Sequence, residues 1–105
     1  MKDLVRQNLS IHVEIMDLLN KQIEKEAHSS SAYLAMASWC DHNALDNSAK
    51  FFYDQSQEER EHMLKIFRFI NDNGGTAYSP EVSKIAHDFN SLEEIFETAL
   101  EQEIA

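Results

Sequence analysis

The stretch Asp54-Gln55-Ser56-Gln57-Glu58-Glu59-Arg60-Glu61-His62 is nine polar residues in a row, set between the aromatic run Phe51-Phe52-Tyr53 and the apolar pair Met63-Leu64. Apolar residues keep a helical spacing on both sides, Phe52 before it and Ile66 and Phe69 after it, so one helix is predicted to run straight through. Counting inward in steps of three and four places Gln55, Glu59 and His62 on the buried stripe. An ionised carboxylate buried without a partner is costly enough that it would neutralise instead, so a cation is expected beside Glu59. A metal ion is the simplest candidate. Glu59 and His62 stand three apart, so one helix face projects an oxygen ligand and a nitrogen ligand about one turn apart. The plainer reading is a solvated charged face, or a core histidine held by a neighbouring glutamate, and the other helices bear on the choice.

Upstream, Met16, Leu19, Ile23, Glu26, Ser30, Tyr33, Ala37 and Cys40 alternate steps of three and four, which predicts a helix running to about Asp41. The segment Met1 to Leu9 reads as an extension of that helix. Glu26 sits in the stripe, and the small residues Ser29, Ser30, Ser31, Ala32, Ala35 and Ala37 suit close approach of a neighbouring helix. His42 to Leu45 is a short connection, which implies an antiparallel second helix from Asp46 to about Asn73, capped by Asp46, Asn47 or Ser48.

Asn73-Gly74-Gly75 ends the second helix, and Ser91-Leu92-Glu93-Glu94 reads as a capping box that starts a third at Leu92, with Phe96, Ala99 and Glu103 along one side. The second helix should be roughly 42 Å long. The connector Gly74 to Asn90 reaches roughly 55 to 60 Å when extended, enough to return along the bundle and start the third helix parallel to the second. The expectation is an all-α single domain over residues 1–105: an antiparallel pair, a long crossover and the start of a third helix. That is an incomplete four-helix bundle, which oligomerisation would complete.

Composition narrows the partners. Nineteen Asp and Glu against nine Lys and Arg give a net charge of -10, which repels phosphate backbones and argues against nucleic acid or anionic lipid. Cys40 is the single cysteine, so no intrachain disulfide is expected and a reducing, cytoplasmic setting is the default. No apolar run approaches the ~20 residues of a membrane span, and the first ten residues lack the apolar core of a secretory signal. His12, His28, His42 and His87 show no partner pattern and read as surface or packing residues. Three helices now carry an inward acid: Glu26, Glu59 with His62, and Glu103. Carboxylate oxygens with one imidazole suit iron or manganese, and two metals bridged by Glu59 would neutralise several acids together.

The chain resembles bacterial non-haem ferritin from about Leu18 to Ala105, within the ferritin-like di-iron family. The matching stretches are Leu19-Asn20-Lys21-Gln22-Ile23-Glu24-Lys25-Glu26-Ala27-His28-Ser29-Ser30, then Tyr33 and Ser38-Trp39-Cys40. Gln57-Glu58-Glu59-Arg60-Glu61-His62-Met63 and Ser91-Leu92-Glu93-Glu94-Ile95-Phe96, leading to Glu103, complete them. The arrangement of two Glu and two Glu-x-x-His motifs in such bundles is a standard example of a di-iron site. The resemblance implies that Glu26, Glu59 and His62 form a first ferroxidase iron site. It implies too that Glu59 bridges to a second iron held partly by Glu103, that Glu58 serves a third site, and that Tyr33 is a redox-active tyrosine. The expected activity is oxidation of Fe(II) to Fe(III) by O2 or peroxide for iron storage and detoxification, in a homo-oligomer. The haem-binding methionine of the bacterioferritin branch would fall at Arg60, so no haem is expected. The family's subunit continues past the position of Ala105 into a fourth helix, and the segment to about Asp17 has no clear counterpart. A catalytically silent ferritin fragment and a helical oligomerisation module are the competing readings.

Overall fold

A computed structural model describes residues 2–104, with side chains from residue 12 onward; Met1 and Ala105, part of the expected domain, lie outside the described residues. Three helices, α1 (Lys2–His42), α2 (Asp46–Asp72) and α3 (Leu92–Ile104), account for all of its regular structure. The all-α expectation and the three helix positions hold to within a residue or two at the compared ends. The N-terminal extension is helical and continuous with α1. At the standard rise α1 is about 61 Å long, and it sets the 64 Å long axis of the molecule.

The chain reverses between α1 and α2 in three residues. Leu45 donates its N–H to the Cys40 carbonyl at 2.8 Å, and Ala44 takes up φ 59, a left-handed conformation that tightens the turn. The cap of α2 differs from expectation: Leu45 occupies the N-cap position and no side chain caps the helix. Packing of the hairpin, with Leu45 against the core around Cys40, stands in for the missing cap. At the other end Gly74 adopts φ 82 and the Gly75 N–H closes on the Ile70 carbonyl at 2.9 Å. Gly75 lies so close to α1 that a Cβ there would meet Met16 Sδ at 2.8 Å and Ile70 Cγ2 at 2.9 Å.

The connector then runs back along the hairpin. Asn20 anchors its start, donating to the Thr76 carbonyl and accepting from the Tyr78 N–H, each at 3.0 Å. Farther on, Val82, Ile85 and His87 line a groove with Leu34, Ala35 and Ser38 of α1. Phe89 and Leu92 reach the core beside Trp39 and Cys40, so α3 starts at the α1–α2 turn and runs parallel to α2. Its start is capped as the sequence implied: Ser91 Oγ accepts from the Glu94 N–H at 3.1 Å, and Glu94 Oε2 accepts from the Asn90 N–H at 2.8 Å.

Two apolar clusters hold the helices together. One gathers Tyr33, Met36, Ala37, Cys40, Ala49, Phe52, Ile95 and Ala99 from all three helices. The other gathers Met16, Ile23, Ala27, Met63 and Ile70 from α1 and α2. Full burial of a side chain such as Phe52, Ile23 or Ile95 contributes about 1.5–3 kcal/mol. Between the clusters lies a polar layer, and it contains the stretch with which the sequence reading began.

The stripe of α2 is rotated relative to expectation. Ala49, Phe52, Ser56, Met63 and Ile70 are buried, whereas Gln55 and Glu59 are half-buried, His62 is exposed and Phe69 is 52 % exposed. Both spacings share Phe52, Glu59 and Ile66 and differ in the alternate positions. The antiparallel register with α1, where Met16 and Ile23 need apolar neighbours, selects Ser56, Met63 and Ile70. On α3 the buried face is Ile95 and Ala99, and Phe96 lies at its edge with its ring packed 5.1 Å from that of Phe52.

Candidate metal centre

Glu26 projects from the middle of α1, and Glu59 and His62 project from the middle of α2. The hairpin brings them together: one ligand atom from each lies within 4.8 Å of the others. Glu26 and Glu59 are half-buried, and His62 stands at the solvent edge. Two oxygens and an imidazole nitrogen at this separation could hold a divalent cation, and such hard, mixed ligands suit iron or manganese. Gln22 stands one turn before Glu26 and donates to its Oε1 at 2.8 Å, which holds one oxygen of that carboxylate in place.

α3 completes a wall. A cavity of about 460 Å³ opens beside the trio, lined by Glu26 and Glu59 together with Thr98, Gln102 and Glu103 from α3. Glu103 lies in this cavity but outside the close trio, with its Oε1 accepting a hydrogen bond from the Tyr33 hydroxyl. Tyr33 is 2 % exposed and its ring stacks on Phe52 at 6.1 Å. Burial, then the hydrogen bond to Glu103 and the charge of that carboxylate, push the Tyr33 hydroxyl well above the ordinary tyrosine range. The proton therefore stays on the tyrosine, pointing at an acid in the cavity wall.

Of the residues singled out from sequence, Glu26, Glu59 and His62 meet, Glu103 and Tyr33 form a linked pair at the cavity, and Glu58 is exposed outside the trio. His28, read as a surface or packing residue, is exposed and lines the cavity wall. Two supporting groups were not picked out. Gln22 was legible as the residue four before Glu26, a spacing that stacks side chains on a helix. Ser56 carries a weaker signal, being the small side chain at core phase inside the polar run.

Residues 16–105 match the family model described as Ferritin-like domain. A probable bacterial non-heme ferritin-like protein of Haemophilus influenzae is 38 % identical over 89 residues, which is 85 % of this chain and 54 % of that protein. A bacterial non-heme ferritin of Staphylococcus aureus is 40 % identical over 89 residues, again 85 % and 54 %. Among solved structures, Chlorobium tepidum ferritin superposes with a TM-score of 0.82 at 38 % identity, covering 87 % of this chain and 56 % of that one. A humanized archaeal ferritin gives 0.83 at 32 % identity, covering 87 % and 55 %. The chain thus spans about half the length of the curated relatives it matches. With the family model covering nearly all of the chain, and the helices superposing on ferritins, the chain belongs to the ferritin family through its ferritin-like domain.

Proposed function

We propose that the chain binds Fe(II) through Glu26, Glu59 and His62 and serves iron storage by oxidising it to Fe(III) at a two-iron centre. The observation that carries this reading is the approach of those three ligands, from two helices, to within 4.8 Å beside a cavity that also holds Glu103. In this reading Glu59 bridges, Glu103 holds the second ion from α3, and Glu58 serves a neighbouring iron from the exposed side of the same helix. Each Fe(II) gives up one electron, and dioxygen or peroxide takes them. In the same reading Tyr33, whose hydroxyl donates to Glu103, is the redox-active tyrosine of the centre. Iron is the substrate and cargo of this centre, and haem has no part in it.

A homo-oligomer belongs to the same reading. Phe51, Phe96, Leu100 and Ile104, on α2 and α3, remain 43 to 78 % exposed, and a second copy packed over them removes that apolar surface from water. Among the described residues no helix is long and apolar enough to cross a membrane. The test is an anaerobic Fe(II) titration followed by admission of air, with Glu59→Ala and His62→Ala beside the parent. Saturable binding and oxidation above the buffer rate, lost in both variants, support the centre. An inert parent, or a Glu59→Ala protein that behaves like it, ends the assignment. Sedimentation of the parent separates an oligomer from a monomer.

A further inference from the structure

We infer that Ser30 and Ser56 form a clamp that sets the spacing of the Glu26 and Glu59 carboxylates, a role that rests on the metal-binding reading above. The two serines face each other across α1 and α2 and bond reciprocally. Ser30 Oγ donates to the Ser56 carbonyl at 2.8 Å, Ser56 Oγ donates to the Ser30 carbonyl at 2.7 Å, and the two hydroxyl oxygens are 3.2 Å apart. Ser56 is the buried polar residue among the described ones, 8 % exposed, and it lies in the polar layer between the two apolar clusters.

The clamp lies in register with the acids. Ser30 follows Glu26 by four residues, and Ser56 precedes Glu59 by three. Because the helices are antiparallel, these offsets put the serine pair about one turn, roughly 5 to 6 Å, along the same seam from the carboxylate pair. A helix carbonyl has a second lone pair beyond the one used in its own helix, so each cross-bond ties the two backbones without breaking either helix. Small residues at a crossing permit the short end of the usual 8–10 Å range of interaxial distances. The acids oppose this approach, since two carboxylates within 4.8 Å repel when no cation lies between them. A fastening on backbone atoms one turn away keeps the pair at chelating distance before any metal arrives. Ser30 and Ser56 are thus positioning residues that act through the helix spacing.

The test uses Co(II), a spectroscopically visible divalent probe, with the parent, the Ser30→Ala/Ser56→Ala double variant, and Glu59→Gln as a site control. The double variant should keep its helical content and bind Co(II) roughly tenfold more weakly, the low end of what loss of a supporting partner costs. The KM for Fe(II) should rise more than kcat falls. A double variant that binds Co(II) like the parent overturns the clamp. If it does not fold, Ser56→Ala alone, which leaves Ser30 its carbonyl partner, carries the same comparison. A metal-free readout separates this idea from the proposed function. Denaturation midpoints of the serine variant, Glu59→Gln and their combination should be non-additive, because relaxed helices leave less repulsion for Glu59→Gln to relieve. Additive midpoints refute the clamp. A parent that fails to bind Co(II) through Glu59 refutes the iron centre, while the midpoints still decide whether the serines set the carboxylate spacing.

Discussion

Replacing Glu59 by Gln should make the metal-free protein more stable and the metal-loaded protein comparatively less stable. The substitution keeps shape and removes one charge from a pair whose ligand atoms lie within 4.8 Å. At 4.8 Å two like charges cost about 3.5 kcal/mol at an effective dielectric of 20 and about 0.9 kcal/mol in water. Both acids are half-buried, so the relief should fall between these limits, at about 1–2 kcal/mol in ordinary salt. For a domain of this size that is a rise of about 4–15 °C in melting temperature. A divalent cation at 100 times the parent's Kd then adds about 2.7 kcal/mol to the parent. Removing a ligand should weaken binding by about 100-fold or more, which leaves the variant a gain of about 0.4 kcal/mol at the same concentration. The order of stabilities therefore inverts on adding metal. Urea denaturation followed by circular dichroism, once with chelator and once with anaerobic Fe(II) or Co(II), measures both states. The metal-free gain should shrink in 1 M salt, where the screening length is about 3 Å. A variant no more stable than the parent without metal, or stabilised by metal as much as the parent, refutes the reasoning.

Gly75→Ala should destabilise the fold by about 1–3 kcal/mol in the same assay, because the new methyl would lie 2.8 Å from Met16 Sδ and 2.9 Å from the buried Ile70; an unchanged midpoint would show that Met16 yields without cost. Tyr33 holds its proton more tightly folded than unfolded, so its contribution is present up to about pH 10 and is lost as the pH rises further. Tyr33→Phe should accordingly lose less stability than the parent between about pH 10 and 12, and equal losses in denaturation series would refute the assignment. The raised pKa of Tyr53, caused first by its hydrogen bond to Asp41, is common to both proteins and cancels in that comparison. Burial also pushes the Cys40 thiol up, so it should react with a thiol reagent only as fast as the protein opens. Rapid labelling of the native protein would show that the core around Cys40 is accessible.

Much of this molecule was legible along the chain. Helix identity and ends follow from local rules: the three-and-four spacing of Met16 to Cys40, the glycine pair at 74 and 75, and the Ser91 to Glu94 box each act within a few residues. The crossover followed from length alone, since 17 residues between two helices exceed what a hairpin needs. That Glu26, Glu59 and His62 come together was legible because acids placed at core spacing are costly without a cation, and the family resemblance implied a role for each. What only the tertiary structure decided is which of two near-equivalent stripes on α2 turns inward. Helical periodicity of 3.6 leaves the phase open through a run of nine polar residues, and the antiparallel register against Met16, Ile23 and Ser30 resolved it in favour of Ser56, Met63 and Ile70. That rotation puts His62 at the solvent edge and exposes Phe69. It also sets a serine, not an acid, in direct hydrogen-bond contact with the backbone of the facing helix. The separation of the carboxylates and the bond from Tyr33 to Glu103 depend on contacts between residues 33 and 70 positions apart, which no local pattern encodes.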